Sequence, residues 1–172
     1  MPQEPDAHLS IRAATADDAA PIAAIYNHFV QRTIVTFEEE PVSAAELARR
    51  METVWSAALP WIVATRDDTV LGYAYASKWK ERYGYRFSVE ISVYLAPDAG
   101  GHGIGSMLYA ELFAQLTSRG VHAAIGGIAL PNDASIALHE KFGMRKVAHF
   151  EQTGFKFGQW VDVGYWERIL TP

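Results

Sequence analysis

The chain has no cysteine. That absence removes a disulfide-stapled scaffold, a zinc–thiolate site and a cysteine nucleophile together. A basic excess is also missing: 20 Asp and Glu outweigh 15 Lys and Arg, for a formal net charge of −5. Binding to nucleic acid needs a basic face, so no nucleic-acid partner is expected. No stretch approaches the roughly 18 apolar residues that mark a membrane span. The N-terminal "MPQEPDAHLS" lacks the basic-then-apolar character of a secretory signal. The expectation is a soluble, cytoplasmic protein with no membrane partner. His, Asp and Glu nowhere fall at a convincing metal-ligand spacing, so no metal is expected either. There is no internal repeat and no low-complexity linker.

What is present is a chain of 172 residues, 49% of them apolar. That length and composition suit one domain around one core, spanning 1–172 with 1–8 as a loose leader. "LSIRAA" (9–14) alternates like a strand. Ile22, Ile25, Tyr26, Phe29 and Val30 share a helical face. Thr15 with Asp18 resembles a capping box, but a start there leaves Pro21 too far inside the helix. A start at Asp18 puts Pro21 in the first turn and is preferred. Ser43 and Glu46 form a second capping box, ahead of a stripe of Leu47, Met51, Val54, Trp55 and Ala58 over 43–58. Strands are expected at 61–67 and 69–80, joined by a tight "DD" turn, and at 86–96. A helix over 103–119 stops at Gly120, a buried strand covers 121–130, and a helix over 132–142 stops at Gly143. Strands at about 144–151 and 159–169 close the order. The helix between the 86–96 and 121–130 strands is a crossover and predicts a parallel pair.

The most informative stretch is "EISVYLAPDAGGHGIGS", Glu90 to Ser106. Glycines between a strand and a helix N-terminus let an anion approach backbone N–H groups, and the helix dipole adds to the attraction. The phosphate loop that ends in Lys-Ser/Thr does not fit, because no lysine precedes Ser106. The dinucleotide pattern G-x-G-x-x-G fits poorly: counted from Gly101 its sixth position is Ser106, and no acid lies about 20 residues on. Glu90 is a lone carboxylate among Val89, Ile91, Val93 and Leu95, and by alternation it shares a face with Ser92 and Tyr94. Burial there raises a carboxyl pKa toward a useful value for a base.

This strand, loop and helix, with "NDASIALHEKFGM", resemble the GNAT family of N-acetyltransferases. That family's pyrophosphate loop reads Gln/Arg-x-x-Gly-x-Gly/Ala, and the window here is Gly100-Gly101-His102-Gly103-Ile104-Gly105. Its last two glycines match. Gly100 replaces the first residue and loses a side-chain contact, which predicts weaker donor affinity rather than lost function. "IYNHFV", "TFEEEP", "WKERYGYRFSVEISVY", "GGHGIGSMLY", "PNDASIALHEKFGM" and "GFKFGQWVDVGYW" follow in order over about 10–169. They resemble the phosphinothricin acetyltransferase branch, which includes methionine sulfoximine and methionine sulfone acetyltransferases.

The resemblance implies an α/β (α+β) acetyltransferase fold, with a mixed sheet splayed at the acetyl-CoA site and about four flanking helices. It implies acetyl-CoA as donor and the α-amine of a small amino-acid analogue as acceptor. Glu90 is the implied general base, and His139, where many members carry Tyr, a second proton-handling group near the sulfur. Val93, Tyr94 and Leu95 would lie along the pantetheine arm, and Gly101, His102, Gly103, Ile104, Gly105 and Ser106 would hold the pyrophosphate, with Asn132 and Lys141 adding contacts. Phe37, Lys80, Tyr83, Gly84 and Tyr85 would form the acceptor site. A homodimer with active sites near the interface follows from the same likeness. Another small amine as acceptor, or an acyl-CoA-binding module without catalysis, remain the alternatives.

Overall fold

The computed structural model describes residues 9–170, so the expected leader at 1–8 lies outside the described residues. Seven strands form one sheet: β1 (Leu9–Ala13), β2 (Trp61–Arg66), β3 (Thr69–Lys78), β4 (Ser88–Leu95), β5 (Ala123–Ala129), β6 (Arg145–Lys156) and β7 (Gln159–Ile169). Their order is β1-β2-β3-β4-β5-β7-β6. The β4–β5 pair is parallel and every other neighbouring pair is antiparallel. The parallel pair expected from the crossover is therefore present.

Four helices cover the sheet: α1 (Ala19–Arg32), α2 (Ala44–Ser56), α3 (Ile104–Ser118) and α4 (Asp133–Lys141). Ile22, Val30, Leu47 and Met51 of α1 and α2 bury against Trp61, Val63 and Tyr73 on one face. Leu108, Leu112 and Leu116 of α3 bury against Ala74, Val89, Ile91 and Ala124 on the other. Alternation along β4 thus sends Val89 and Ile91 under α3, and Glu90, Ser92 and Tyr94 toward α1 and α2.

Local signals explain most boundaries. The Ser43 hydroxyl accepts from the Glu46 N–H at 3.1 Å and starts α2. Asp18 does two jobs. It closes a short 3-10 turn by accepting from the Thr15 N–H at 2.7 Å, and α1 begins one residue later, so Pro21 falls in the first turn. Arg12 holds the same carboxylate from β1 with two bonds of 2.7 and 2.8 Å. The β2–β3 hairpin turns on Asp67 and Asp68, both at positive φ, as a two-residue primed turn requires. Gly120 and Gly143 follow α3 and α4 at φ of +73° and +76°.

Several boundaries differ from the sequence reading. β3 ends at Lys78 and β4 begins at Ser88, so 79–87 is a loop with a 3-10 turn at Tyr83–Tyr85. α2 stops at Ser56, and Ala58 is exposed at φ 56°. β6 runs on to Lys156, because a pairing irregularity between Phe150 and Gly154 takes up the bend that looked like a strand end.

Candidate active site

The site forms where β4 and β5 part. They pair only at Ser88–Ala123, Val89–Ala124 and Glu90–Ile125. Beyond that rung each strand keeps its other neighbour: β4 stays on β3 as far as Leu95, and β5 stays on β7 as far as Ala129. The inner edges of 91–95 and 126–129 are left facing a cleft. Ser92, Val93, Gly127, Asn132, Tyr109 and His139 line it, and Val35 reaches it from the α1–α2 loop. Unpaired edge N–H and C=O groups at such a place suit an extended amide-bearing chain. Tyr94 offers main chain only, since its ring packs against Tyr26, Phe29 and Tyr73 at 5.2–5.4 Å. Val93 and Leu95 pack their side chains against the α3-side core.

The glycine loop lies beyond Leu95. Gly101 and Gly103 sit at φ of +79° and +77°, left-handed values that favour glycine, and Gly103 is the N-cap of α3. The first N–H groups of a helix have no partner within it, so Ile104, Gly105 and Ser106 present free donors at the positive end of α3. A cation joins them: Lys141, at the end of α4, donates from Nζ to the Ser106 hydroxyl at 2.9 Å. His102 is exposed beside them. Asn132 caps α4, accepting from the Ser135 N–H at 3.1 Å, and lines the cleft. Backbone donors, a helix N-terminus and a lysine together fit a diphosphate.

Glu90 occupies the last paired rung, at the vertex of the cleft. It is half-buried, and burial pushes its carboxyl above the ordinary value. The Lys80 ammonium opposes part of that rise, and no hydrogen bond contributes. The space it enters is opened by Gly127 on β5. A Cβ there would stand 3.6 Å from Glu90 Oε1 and 3.1 Å from the Tyr165 ring.

His139 lies on the other side of the cleft and is 4% exposed. Its Nδ1 is 2.7 Å from the Ser135 carbonyl, which can only accept, so Nδ1 carries the proton. Nε2 then accepts from the Tyr109 hydroxyl at 3.0 Å. Burial holds the imidazole below its usual pKa, with the Ser135 bond pulling the other way. The ring packs where Gly126 has no side chain, since a Cβ there would come within 2.6 Å of Nε2.

Of the expected acceptor residues, Lys80 reaches Glu90 electrostatically, and its ammonium sits 4.8 Å from the Trp79 ring. Trp79 in turn meets Tyr165 edge-on at 5.7 Å. Tyr83 and Tyr85 are exposed, Tyr83 stacks under Arg86 at 4.2 Å, and Gly84 has open space around it. Phe37 packs over Gly154 of β6 and not into the cleft.

Sequence reasoning did not single out Tyr109, Gly126, Gly127 and Tyr165. The two adjacent glycines inside "AAIGGIAL" were the available signal, because glycine within a strand marks a close approach. Lys156 was also missed. It is fully buried and donates to the Thr36 carbonyl at 2.7 Å and the Phe29 carbonyl at 3.3 Å. Nothing in "GFKFG" announces a buried cation.

Comparison with known proteins gives the family. The family model described as an acetyltransferase (GNAT) domain matches residues 11–164. The phosphinothricin N-acetyltransferase of Streptomyces coelicolor is 39% identical over 95% of this chain and 98% of its own. The L-methionine sulfoximine/L-methionine sulfone acetyltransferase of Salmonella typhimurium is 33% identical over 94% of this chain and 95% of its own. Among solved structures, the GNAT superfamily phosphinothricin acetyltransferase of Sinorhizobium meliloti, in complex with AcCoA, superposes with a TM-score of 0.91 at 40% identity, over 94% of this chain and 88% of that one. With a family model over most of its length and relatives of this similarity, the chain belongs to the GNAT acetyltransferase family and is an N-acetyltransferase.

Proposed function

We propose that the whole chain acts as one catalytic domain that moves an acetyl group from acetyl-CoA to the α-amine of a small amino-acid analogue of the phosphinothricin, methionine sulfoximine or methionine sulfone class. The observation that carries this reading is the placement of Glu90: a half-buried carboxyl of raised pKa at the rung where β4 and β5 separate. Acetyl-CoA supplies an activated acyl group as a thioester. The open edge at Val93, Tyr94 and Leu95 binds its amide-bearing arm, and residues 101–106 with Asn132 and Lys141 bind its phosphates. Glu90, directly or through one water, takes a proton from the acceptor ammonium and frees the nitrogen lone pair. That nitrogen attacks the carbonyl carbon while edge N–H groups of the cleft stabilise the developing oxyanion. The carbon–sulfur bond then breaks. The attacking nitrogen sheds its second proton as that bond breaks, and the thiolate takes one up from the Tyr109–His139 pair on the cleft wall, in which the Tyr109 hydroxyl is the donor.

Lys80, beside Trp79 and near Glu90, suits the acceptor carboxylate. Tyr83, Gly84, Tyr85 and Phe37, none of which enters the cleft, would wall the acceptor once a second copy of the chain closes over them in a homodimer. The likeness to the S. coelicolor and S. typhimurium enzymes, named for phosphinothricin and for methionine sulfoximine and sulfone, supports the acceptor class. A cytoplasmic location suits an acetyl-CoA donor, and no described helix is long and apolar enough to cross a membrane.

The test is Glu90→Gln. Turnover of methionine sulfone and phosphinothricin is expected to fall about 10²-fold, while acetyl-CoA still raises the melting temperature. Retained turnover would remove Glu90 from the chemistry. A wild type that consumes no acetyl-CoA with any amine would favour a binding module instead.

A further inference from the structure

Strands β6 and β7 bring three polar side chains together on the side of the sheet opposite Glu90. In a regular strand Lys146 and His149, three residues apart, would face opposite sides. The pairing with β7 slips between Lys146 and Ala148, so Lys146 lies across from Trp166 and His149 across from Gly164. Trp166, Gly164 and Asp162 alternate onto one face of β7, and opposite residues of a ladder share a face. The bulge therefore re-aims His149 to the side of Lys146 and Asp162. A second irregularity, between Phe150 and Gly154, brings the Gln152 N–H to Asp162 Oδ1 at 2.9 Å.

The contacts run in a line. Asp162 Oδ2 is 2.8 Å from His149 Nε2. A carboxylate only accepts, so Nε2 carries the imidazole proton and Nδ1 keeps a lone pair. Lys146 Nζ donates to that Nδ1 at 2.9 Å. Among the described residues the ammonium has no other hydrogen-bond partner and no carboxylate at ion-pair distance. It rests 5.4 Å from the centre of the Trp166 ring. Lys141 and Lys156, by contrast, donate to a hydroxyl and to carbonyls, which cannot keep a proton. Lys146 alone of these donates to a base, and that base is backed by a carboxylate.

We propose that Lys146 is a site of acyl modification by a small acyl thioester, with His149 as its base and Asp162 as the positioning residue. The parts are those of a nucleophile, a base and an orienting carboxylate, with an amine in place of a hydroxyl. Lys146 gives one proton to His149 Nδ1, and Asp162 faces the imidazolium that forms. The freed nitrogen attacks the thioester carbonyl carbon, the carbon–sulfur bond breaks and an amide forms. The nitrogen's second proton leaves with the thiol, and His149 returns the first to water. The amide is neutral, so the reaction removes a cation from beside Trp166. The indole of Trp166 donates to Glu140 at 3.2 Å, between His139 and Lys141 of the proposed donor site.

The probe is S-acetyl-N-acetylcysteamine, a thioester without the nucleotide. Wild type is incubated with it in the absence of an amine acceptor, and mass spectrometry follows acetylation at each lysine. Lys78, with a side chain 59% exposed and no imidazole partner, is the reference in the same sample. Lys146 is expected to be acetylated about tenfold faster than Lys78, short of the roughly 10²-fold or more of a general base in an enclosed site. His149→Gln leaves Lys146 a hydrogen-bond acceptor and removes the base, so labelling should fall to the Lys78 rate. Asp162→Asn keeps an oxygen for the Gln152 N–H and turns an amide donor to Nε2, which moves the imidazole proton to Nδ1. The same fall is expected. Lys156 is fully buried, and its labelling should stay negligible while each variant is folded. Equal rates at Lys146 and Lys78 in wild type overturn the proposal, as does fast labelling of Lys146 that survives His149→Gln. Glu90→Gln should label Lys146 as wild type does. Loss of labelling there would assign the modification to the acetyltransferase site and overturn the proposal as well.

Discussion

Burial raises the pKa of Glu90, and the Lys80 ammonium restrains the rise. A base works only when deprotonated, so kcat/KM should increase with pH through a pKa above that of an ordinary glutamate. Lys80→Met removes the restraint and should move this acid limb to higher pH. A pH profile of kcat/KM for the two enzymes checks it, and an unmoved limb would place Lys80 out of reach of Glu90. Gly100 makes a second case at the same scale. It sits at φ −68° and ψ 153°, which any residue adopts, with nothing within 4 Å of a Cβ. The family places Gln or Arg here, so Gly100→Arg can enter unstrained and add a charged contact to the donor's phosphates. The expected outcome is acetyl-CoA binding tightened several-fold, read by calorimetry, with kcat nearly unchanged. Of these two residues the sequence disclosed the types and the sides they face. It could not disclose that the neighbouring strand departs at Glu90, because strand separation is decided by tertiary packing and leaves no periodicity.

Strand β5 shows how one element serves both faces of the sheet. Gly126 leaves room for the His139 ring on the α3 side, and Gly127 leaves room for Glu90 and Tyr165 on the other. Side chains at these two positions would fill both halves of the site. The α1–α2 loop is held with similar economy. Tyr26 bonds the Thr36 hydroxyl at 2.7 Å and also the Glu38 carboxylate, Arg50 grips Glu38, and Lys156 reaches in from β6 to the Thr36 and Phe29 carbonyls. Phe37 is seated on Gly154 of the same strand. Val35, between these anchors, lines the cleft. Lys156→Met keeps the stem and loses both donations, so the loop should loosen while the sheet remains. The acceptor KM is expected to rise roughly threefold or more, by analogy with the modest net worth of a charged hydrogen bond, with kcat little changed. Hydrogen exchange over 33–38 should quicken in parallel, and unchanged exchange would mean the loop is held without Lys156. Helices α2, α3 and α4 were legible because caps and glycine stops are local. The reach of β6 to Lys156 was not, since an irregular pair with β7 replaces the alternation that identifies a strand.

At the scale of the molecule the sheet is covered unequally. α1 and α2 pack over β2 to β4 and their loop seats Phe37 on Gly154 of β6, while on the same face Trp79, Val147, Phe150 and Tyr165 line an open patch. Phe150 is 52% exposed and Val147 43%. Phe150 meets Tyr165 edge-on at 5.8 Å, and Tyr165 shares the space at Gly127 with Glu90. The uncovered surface thus continues into the proposed acceptor site. A contiguous aromatic surface of this kind is unusual on a monomer. A stable pair needs about 800 Å² from each partner, an area that the outer half of a seven-stranded sheet can supply. If a second copy covers this face, light scattering should give wild type twice the 19.1 kDa chain mass. Phe150→Asp puts a charge into the apolar contact and should return the chain mass. Because the partner would also wall the acceptor site, the same variant should raise the acceptor KM while acetyl-CoA affinity stays as it was. The glycine loop that would bind the donor belongs to α3, on the opposite face of the sheet. A wild type that runs at 19.1 kDa at micromolar concentration would leave the aromatic face uncovered and confine the acceptor site to one chain.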